Sequence, residues 1–222
     1  MFIEHNQSRA IRKKPLGQFI ADELRQRIWQ GKFQLGEKVS ETELSNEMGI
    51  SRSSLREALQ ILEHEGLVVN KARKGTFLVE FKKADIQEIN ELRLHIEVPA
   101  IMKTAEIIED HQINDLEEMI QEMKRCIASE DWFGLFAVDI AFHVFLVQLC
   151  GNSRMIRVYS IMQNQIRTVL SQLVNYYEVH KYEFCEEHEA LLKAIKTRNS
   201  LKVQEVAISH INHIYHQITS TL

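Results

Sequence analysis

The chain has 222 residues, of which 45% are hydrophobic, and this composition suits one large or two small globular domains and excludes a disordered protein. Eight glycines and two prolines favour long helices over a turn-rich β architecture. Residues 1–81 hold 13 Lys or Arg and 11 Asp or Glu, whereas residues 82–222 hold 14 and 20. Any contact with nucleic acid is therefore expected in the first part.

The location of the protein is predicted from segments that the sequence lacks. The first residues have no apolar core of the kind that a secretion signal needs, and no apolar run is expected to be long enough to cross a bilayer. The three scattered cysteines, Cys126, Cys150 and Cys185, fit neither a disulfide framework nor a CxxC metal site, so we interpret them as buried small hydrophobic residues. These features predict a cytoplasmic protein that does not enter the membrane.

A flexible arm and a helix are predicted at the start of the chain. Residues 1–14 are expected to form the arm, and its basic side chains can reach phosphates. Pro15 is expected to open a helix that Gly31 ends. The predicted apolar face of this helix consists of Leu16, Phe19, Ile20, Leu24, Ile28 and Trp29. The helix is expected to pack behind the elements that follow.

The segment from residue 38 to residue 66 predicts two short helices joined by a tight turn. Ser40 and Glu43 have the spacing of a capping box at the start of the first helix, and Gly49 ends it. Ser51 can cap the second helix, and Gly66 stands where a left-handed residue ends a helix. The buried stripe of the second helix is predicted to be Leu55, Ala58, Leu59, Ile61 and Leu62. The segment is therefore a predicted helix-turn-helix.

Polar side chains in the first turn of the second helix predict contact with DNA. These side chains are Arg52, Ser53, Ser54 and Arg56. The N-terminal part of a recognition helix enters the major groove, where arginine binds guanine edges and serine bonds to phosphate or base. The alternative is an ordinary amphipathic helix with solvated arginines.

A basic β-hairpin is predicted directly after the helix-turn-helix. Strands are expected at Leu67–Asn70 and Thr76–Phe81, joined by a loop of residues 72–75. The basic side chains around its tip are Lys71, Arg73 and Lys74. We interpret the hairpin as a wing that contacts the DNA backbone or the minor groove and adds salt-dependent affinity. A solvated hairpin is the alternative.

The rest of the chain, after a short linker at Lys82–Asp85, shows only helical patterns. The six predicted segments are Asp85–Ile108, Asn114–Ser129, Trp132–Cys150, Ser153–Tyr176, Tyr182–Arg198 and Leu201–Thr221. The predicted fold class is mainly α. It has an N-terminal winged helix-turn-helix domain, residues 1–81, and a C-terminal all-α antiparallel helical bundle, residues 82–222.

A carboxylate and three imidazoles occur within apolar helical patterns. Asp139 and His143 are four residues apart and share one helix face in a strongly apolar segment, and His188 and His210 lie on the fifth and sixth helices of the bundle. If the three helices surround one cavity, these side chains form a ligand set suited to Zn²⁺, Ni²⁺ or Mn²⁺. The alternative is that each histidine is a hydrogen-bonded core residue.

These motifs carry a resemblance to a known family. The segment KVSETELSNEMGISRSSLREALQILEHEGLV, with GTF in the wing, resembles the N-terminal domain of GntR-family transcriptional regulators. The second half is similar to the all-helical FCD effector domain of the FadR-like branch. The matching features are ELRLHIE at 91–97, the D-x-x-x-H of 139–143, GN at 151–152, EHEALLKAI at 187–195 and His210. Six helices correspond to the shorter, VanR-like version of that domain.

The resemblance implies a homodimeric regulator, and not an enzyme, that binds a palindromic double-stranded DNA operator and responds to a ligand. The residues that it implicates in DNA contact are Arg52, Ser53, Ser54, Arg56 and Gly75. The residues that it implicates in binding a divalent transition metal, foremost Zn²⁺, are Asp139, His143, His188 and His210. Thr42 is a departure, because family members often have arginine there, so one DNA contact is expected to be missing or changed.

The resemblance also suggests a ligand class. Arg93 fits the motif of the first bundle helix, and a guanidinium near the metal suits a small organic-acid effector whose carboxylate takes open metal positions. The alternative for Arg93 is a structural ion pair with an acidic neighbour. Two alternatives for the whole protein are a metal-dependent hydrolase fused to a DNA-binding head and a regulator with a purely structural metal.

Overall fold

The computed structural model describes residues 15–171 and 174–221, so the predicted arm of residues 1–14 lies outside the described residues. The first part, which we call the head, contains α1 (Leu16–Trp29), α2 (Glu41–Glu47), α3 (Arg52–His64), β1 (Val68–Lys71) and β2 (Gly75–Leu78). The second part, which we call the bundle, contains α4 (Lys83–Ile107), α5 (Asp110–Ala128), α6 (Trp132–Leu149), α7 (Ser153–Leu170), α8 (Val174–Lys196) and α9 (Ser200–Thr221). The predicted class is confirmed: the fold is mainly α, with a winged helix-turn-helix followed by an all-α bundle.

The first helix of the head packs on α3, but its buried face differs from the prediction. Leu16 and Phe19 were expected in the apolar face, and their side chains are 57% and 63% exposed, so that part of the prediction is wrong. The other predicted residues, Ile20, Leu24, Ile28 and Trp29, are buried, and Gly17 and Ala21 are buried with them. Gly17 lies so close to Glu57 of α3 that a Cβ atom there would be 2.6 Å from the Glu57 side chain. The face of α1 that packs on α3 therefore includes Gly17 and leaves Leu16 and Phe19 exposed.

The two helices of the helix-turn-helix begin at the predicted caps. The backbone N–H of Glu43 donates to Oγ of Ser40 at 3.4 Å, and the N–H of Ser54 donates to Oγ of Ser51 at 3.1 Å. Each bond satisfies one backbone N–H that has no partner within the helix. The apolar stripe of α3 is buried at Leu55, Ala58, Leu59 and Leu62, whereas Ile61 is only half-buried. The stripe therefore fixes which face of α3 is left for solvent.

The wing is a two-stranded antiparallel hairpin that is shorter than predicted. Val68 pairs with Leu78 at its base and Lys71 with Gly75 at its tip. The second strand was expected to continue to Phe81, but it ends at Leu78. The Phe81 side chain is instead buried in the apolar core of the bundle, so packing with the bundle ends the strand.

Most helix ends in the bundle lie within about two residues of the predicted limits, and three lie further away. The structure begins α5 at Asp110 and not at residue 114, because the N–H of Glu109 donates to the side chain of Gln112 and caps the helix there. It ends α7 at Leu170 and not at residue 176, where the hydroxyl of Ser171 donates to the carbonyl of Thr168. It begins α8 at Val174 and not at residue 182. Both side-chain bonds satisfy backbone groups that a helix end leaves unpaired.

The central helix of the bundle is α6. Among the described residues it is the helix that is long and apolar enough to cross a bilayer by length and composition, so the expectation that no such run exists was wrong. Half of this segment is buried within the protein, and its Asp139 and His143 contact side chains of other helices. These contacts are those of a core helix. Among the cysteines, Cys126 and Cys185 are buried as predicted, while Cys150 is half-buried.

Candidate functional site

The first turn of α3 presents most of the predicted DNA-contacting side chains to solvent. Arg52, Ser53 and Arg56 are exposed, and Ser54 is half-buried. The hydroxyl of Ser54 lies 2.8 Å from that of Ser51, so it also belongs to the cap of the helix. The exposed edge of this turn has the chemistry of a recognition surface, with two guanidinium groups and a hydroxyl beside a capped helix N-terminus.

An ion pair joins the recognition helix to α2. Nε of Arg56 donates to Oε2 of Glu41 at 2.7 Å. Thr42, the departure from the family pattern, follows Glu41 and is exposed on the same short helix. The ion pair fixes the direction of the Arg56 guanidinium, and the exposed Thr42 adds no positive charge beside it.

The tip of the wing places three further cations in solvent. The side chains of Lys71, Arg73 and Lys74 are exposed. Gly75 has a φ of 100°, a left-handed conformation that favours glycine, and this lets the chain turn back into β2. Nζ of Lys71 lies 4.6 Å from the centre of the Phe77 ring, which orients its ammonium group over the hairpin.

The bundle brings the four predicted metal-binding side chains together. The nearest ligand atoms of His143, His188 and His210 all lie within 4.8 Å of one another, and the three residues are buried. Nε2 of His143 lies 3.1 Å from Nε2 of His210, and Oδ1 of Asp139 lies 2.9 Å from Nε2 of His188 and 3.9 Å from Nε2 of His143. In a tetrahedral Zn²⁺ site, two ligand atoms lie about 3.3 Å apart. The separations of 2.9, 3.1 and 3.9 Å in this cluster lie around that value, so the cluster fits such an ion.

A hydrogen bond on the outer side of His188 fixes which of its nitrogens faces the cluster. Nδ1 of His188 lies 2.8 Å from the carbonyl of Phe184, and a carbonyl can only accept, so Nδ1 carries a proton. A neutral His188 then turns an Nε2 lone pair toward the Asp139 carboxylate, which also accepts. Two acceptors 2.9 Å apart require a proton or a cation, and the donor set therefore fits a divalent metal.

The pKa values of Asp139 and His210 also favour cation binding. Burial would raise the pKa of Asp139, but its short contact with His188 and the nearby positive charges of His143 and Arg93 lower it below its usual value. Burial, reinforced by repulsion from His188 and His143, holds the pKa of His210 well below its usual value. An ionised carboxylate beside a neutral imidazole is the state in which both groups bind metal.

The sequence prediction did not include Glu97, which joins Arg93 to the histidines. Nε of Arg93 donates to Oε1 of Glu97 at 2.6 Å, and Oε2 of Glu97 lies 2.8 Å from Nδ1 of His143. Burial would raise the pKa of Glu97, but Arg93 and His143 hold it at about 2. The spacing of four residues between Arg93 and Glu97 was a usable signal, because it places both on one face of α4. The Glu97 carboxylate therefore lies directly behind the His143 imidazole, the position that a carboxylate takes behind a metal-binding histidine.

Family models match both parts of the chain. The model for bacterial regulatory proteins of the gntR family matches residues 16–78, and the model for the FCD domain matches residues 88–213. These two ranges cover the winged helix-turn-helix and the bundle that contains the histidine cluster.

Proteins similar to the chain include two regulators from Bacillus subtilis (strain 168). The HTH-type transcriptional regulator YdhC is 26% identical over 195 residues, which are 86% of this chain and 86% of that protein. The gluconate operon transcriptional repressor is 27% identical over 201 residues, which are 88% of this chain and 82% of that protein.

Solved structures show the same fold. A GntR transcriptional regulator from Rhodococcus sp. RHA1 superposes with a TM-score of 0.81 and 22% identity, covering 93% of this chain and 98% of that one. McbR/YncC of E. coli superposes with a TM-score of 0.80 and 16% identity, covering 94% and 99%. The chain thus belongs to the GntR family of bacterial regulatory proteins, in the branch that carries an FCD domain, and is a transcriptional regulator and not an enzyme.

Proposed function

We propose that the protein is a cytoplasmic regulator whose affinity for its operator is controlled by a small organic acid bound beside a divalent metal in the bundle. The observation that carries the proposal is the buried cluster of His143, His188 and His210, with the Asp139 carboxylate 2.9 Å from His188. The family places this bundle behind a DNA-binding head, where a bound ligand can act on the head.

The proposed metal is Zn²⁺, with Ni²⁺ and Mn²⁺ as alternatives. The proposed ligands are the carboxylate of Asp139 and the imidazoles of His143, His188 and His210, a mixed nitrogen and oxygen set that suits these ions. A bound ion of this kind would supply open positions for a carboxylate. The carbonyl of Phe184 supports the proposal because it holds His188 in the required tautomer, and the Glu97 carboxylate lies 2.8 Å from Nδ1 of His143.

Arg93 is the proposed contact for the acid. Its side chain is buried against Glu97 and lines a small cavity between α4 and α7. Burial opposes the charge of the guanidinium, but Glu97 raises its pKa, so Arg93 stays positive. An incoming carboxylate would either bind the Arg93 guanidinium together with Glu97 or take the place of Glu97. In both cases the anion would accept a charge-assisted hydrogen bond in a site that excludes water.

The proposed DNA complex is a homodimer on a palindromic operator. Arg52, Ser53, Ser54 and Arg56 would enter the major groove, while the wing residues Lys71, Arg73, Lys74 and Gly75 would lie on the adjacent backbone or in the minor groove. Recognition helices of such dimers reach grooves about 34 Å apart, so a small change in the position of the heads alters affinity strongly. An acid changes the affinity only if it prefers one arrangement of the heads.

A mobility shift tests the proposal. The operator is selected from a random duplex library, and the purified protein is analysed for bound metal and then titrated with acetate, succinate, citrate and gluconate. Gluconate is included because repressors of gluconate operons are similar to this chain. We expect one acid to change operator affinity by about fivefold or more, and Arg93→Ala to abolish the change. Effector control is wrong if metal is bound and no acid alters the affinity.

A purely structural metal is the second candidate, and the burial of all four ligands favours it. In that case Asp139→Ala should lower the melting temperature and leave any response to acids intact. The hydrolase alternative has no support, because the family consists of transcriptional regulators.

A further inference from the structure

The outer face of α7 contacts the head at two points. Nε2 of Gln165 donates to the carbonyl of Glu65 at 2.8 Å, and Nε1 of Trp29 donates to Oγ1 of Thr168 at 3.1 Å. Glu65 is the C-cap residue of α3, so the first contact is made at the end of the recognition helix. The bundle therefore contacts the head at the ends of both α1 and the predicted recognition helix α3.

The contact around Trp29 is buried and specific. Trp29 is 7% exposed and Thr168 is 2% exposed, so their hydrogen bond lies away from water. The guanidinium of Arg167 lies 4.0 Å from the centre of the Trp29 ring, and burial lowers the pKa of Arg167 to about 10. An indole between a hydroxyl acceptor and a cation has one favoured orientation.

The inner face of α7 lines the cavity beside Arg93. Its side chains there are those of Ile166, Val169 and Leu170, and α4 contributes Ile89 and Arg93. The cavity has a volume of about 20 Å³, which is room for about one water molecule. Tyr215 of α9 also lines the cavity, so a carboxylate that enters beside Arg93 must displace side chains of α4, α7 or α9.

We infer that α7 is the docking element that fixes the head on the bundle and that it couples the cavity beside Arg93 to the orientation of the recognition helix. Gln165 and Thr168, which contact the head, are next to Ile166 and Val169, which line the cavity. A packed helix moves as a unit, so a shift of one face reaches the other. The docking role depends only on these contacts, whereas the coupling of a ligand rests on the proposed function.

The docking role is tested with Trp29 as the reporter. The chain has two tryptophans, so Trp132→Phe leaves Trp29 as the only one. In this full-length background, Gln165→Ala and Thr168→Val are expected to shift Trp29 emission to the red and to increase its quenching by acrylamide. Gln163→Ala is the matched control, because the Gln163 amide bonds to the carbonyl of Ser160 on its own helix. Docking through α7 is overturned if both variants leave Trp29 as shielded as the control does.

The coupling is tested without any acid, by filling the cavity from within. Val169→Ile adds a single methylene, which the cavity can hold, whereas Val169→Phe exceeds the free volume and must displace α7. We expect Val169→Phe to change Trp29 emission and to shift affinity for the selected operator by about fivefold or more, and Val169→Ile to change neither. Leu116→Phe overpacks α5 away from this contact and controls for general destabilisation.

Helical circular dichroism shows whether each variant folds, and Ile89→Phe, which fills the cavity from α4, replaces Val169→Phe if that variant does not fold. The coupling is overturned if a cavity-filling variant is folded and its Trp29 emission and operator affinity are both the same as those of Leu116→Phe. If these variants respond and no acid does, the coupling stands and the effector part of the proposed function fails. The two failures are therefore distinguishable.

Discussion

Arg56 and Glu41 form an ion pair on the surface of the head, where the Arg56 side chain is 68% exposed. Exposed pairs of this kind contribute about 0 to 1 kcal/mol to stability, so the pair has little weight in folding. The pair instead orients the Arg56 side chain, because Glu41 accepts a hydrogen bond from Nε and so sets the plane of the guanidinium. Arg93 and Glu97 form a similar pair four residues apart, but both are buried, so loss of either partner leaves an uncompensated charge.

Arg52→Ala and Arg56→Ala are expected to weaken binding to the selected operator by about 1–3 kcal/mol each, if each arginine contacts a base edge. Fluorescence anisotropy with the selected duplex and with a random duplex measures the change. Lys32→Ala, an exposed cation at the end of α1, is the control. Equal losses on both duplexes would mean that the arginines contact only phosphates.

His210 is expected to make the metal-free protein less stable as the pH falls below about 6.5, the usual histidine pKa. The native pKa lies well below this value, mainly through burial, so the unfolded chain binds a proton that the native state does not. The contribution of His210 to the free energy of unfolding is therefore complete above about pH 6.5. It decreases as the pH falls toward the native pKa, by up to about 1.4 kcal/mol per pH unit.

Urea unfolding with a chelator, at several pH values from 7.5 to 5.5, measures this dependence. Asp139 stays ionised in both states across the window, because its native pKa is lowered. His210→Asn should flatten the curve, and His111→Asn, which removes an exposed histidine of α5, should not. If the free energy of unfolding depends on pH as steeply in His210→Asn as in the wild type, His210 is not the source of the dependence.

The C-terminal end of α3 is the element on which local geometry and tertiary packing meet. Gly66 follows the helix with a φ of 73°, and a Cβ atom there would lie 2.2 Å from Nε2 of Gln165. Gly31 follows α1 with a φ of 68° and has no neighbour within 4 Å of that position. Both glycines have a positive φ at the end of a helix. Only at Gly66 does the missing side chain also make room for the bundle, through Gln165 of α7.

Gly31→Ala is expected to destabilise the protein by about 1–2 kcal/mol through backbone strain alone. Gly66→Ala should cost about 1 kcal/mol more, because Gln165 must give up its hydrogen bond to Glu65. Thermal unfolding of both variants measures the difference. In a Gln165→Ala background, where this hydrogen bond is already absent, Gly66→Ala should cost no more than Gly31→Ala does. Equal losses in Gly31→Ala and Gly66→Ala would show that the Gln165 amide moves aside without cost.

The whole molecule has two apolar cores, one in the head and one in the bundle, and the candidate metal ligands come from α6, α8 and α9 of the bundle. A cation that binds the native site but not the unfolded chain stabilises the fold by mass action. The metal, if bound, therefore acts on the packing of three helices at once.

Zn²⁺ at about 100 times its dissociation constant is expected to raise the free energy of unfolding by about 2.7 kcal/mol. Melting curves with and without Zn²⁺ measure the gain. His143→Ala should lose it, whereas His111→Ala, which removes an exposed histidine, should keep it. Equal stabilisation of His143→Ala and the wild type would place the bound ion elsewhere.

Sequence alone predicted the features that depend on near neighbours. The caps at Ser40 and Ser51 are bonds across three residues, and the shared face of Asp139 and His143 follows from helical periodicity. The winged helix-turn-helix and the six bundle helices were predictable for this reason, whereas grouping His188 and His210 with Asp139 and His143 depended on the resemblance to the family. Helix ends that depend on one side-chain bond, as at Glu109 and Ser171, were placed several residues away.

Tertiary structure alone decided the contacts between residues far apart in the chain. Asp139 meets His188 across 49 residues, His143 meets His210 across 67, and Trp29 meets Thr168 across 139. The same packing turned Leu16 and Phe19 to solvent and drew Phe81 into the bundle. Periodicity specifies which face of a helix is apolar, but only the assembled core determines which faces meet, because burial depends on every element at once.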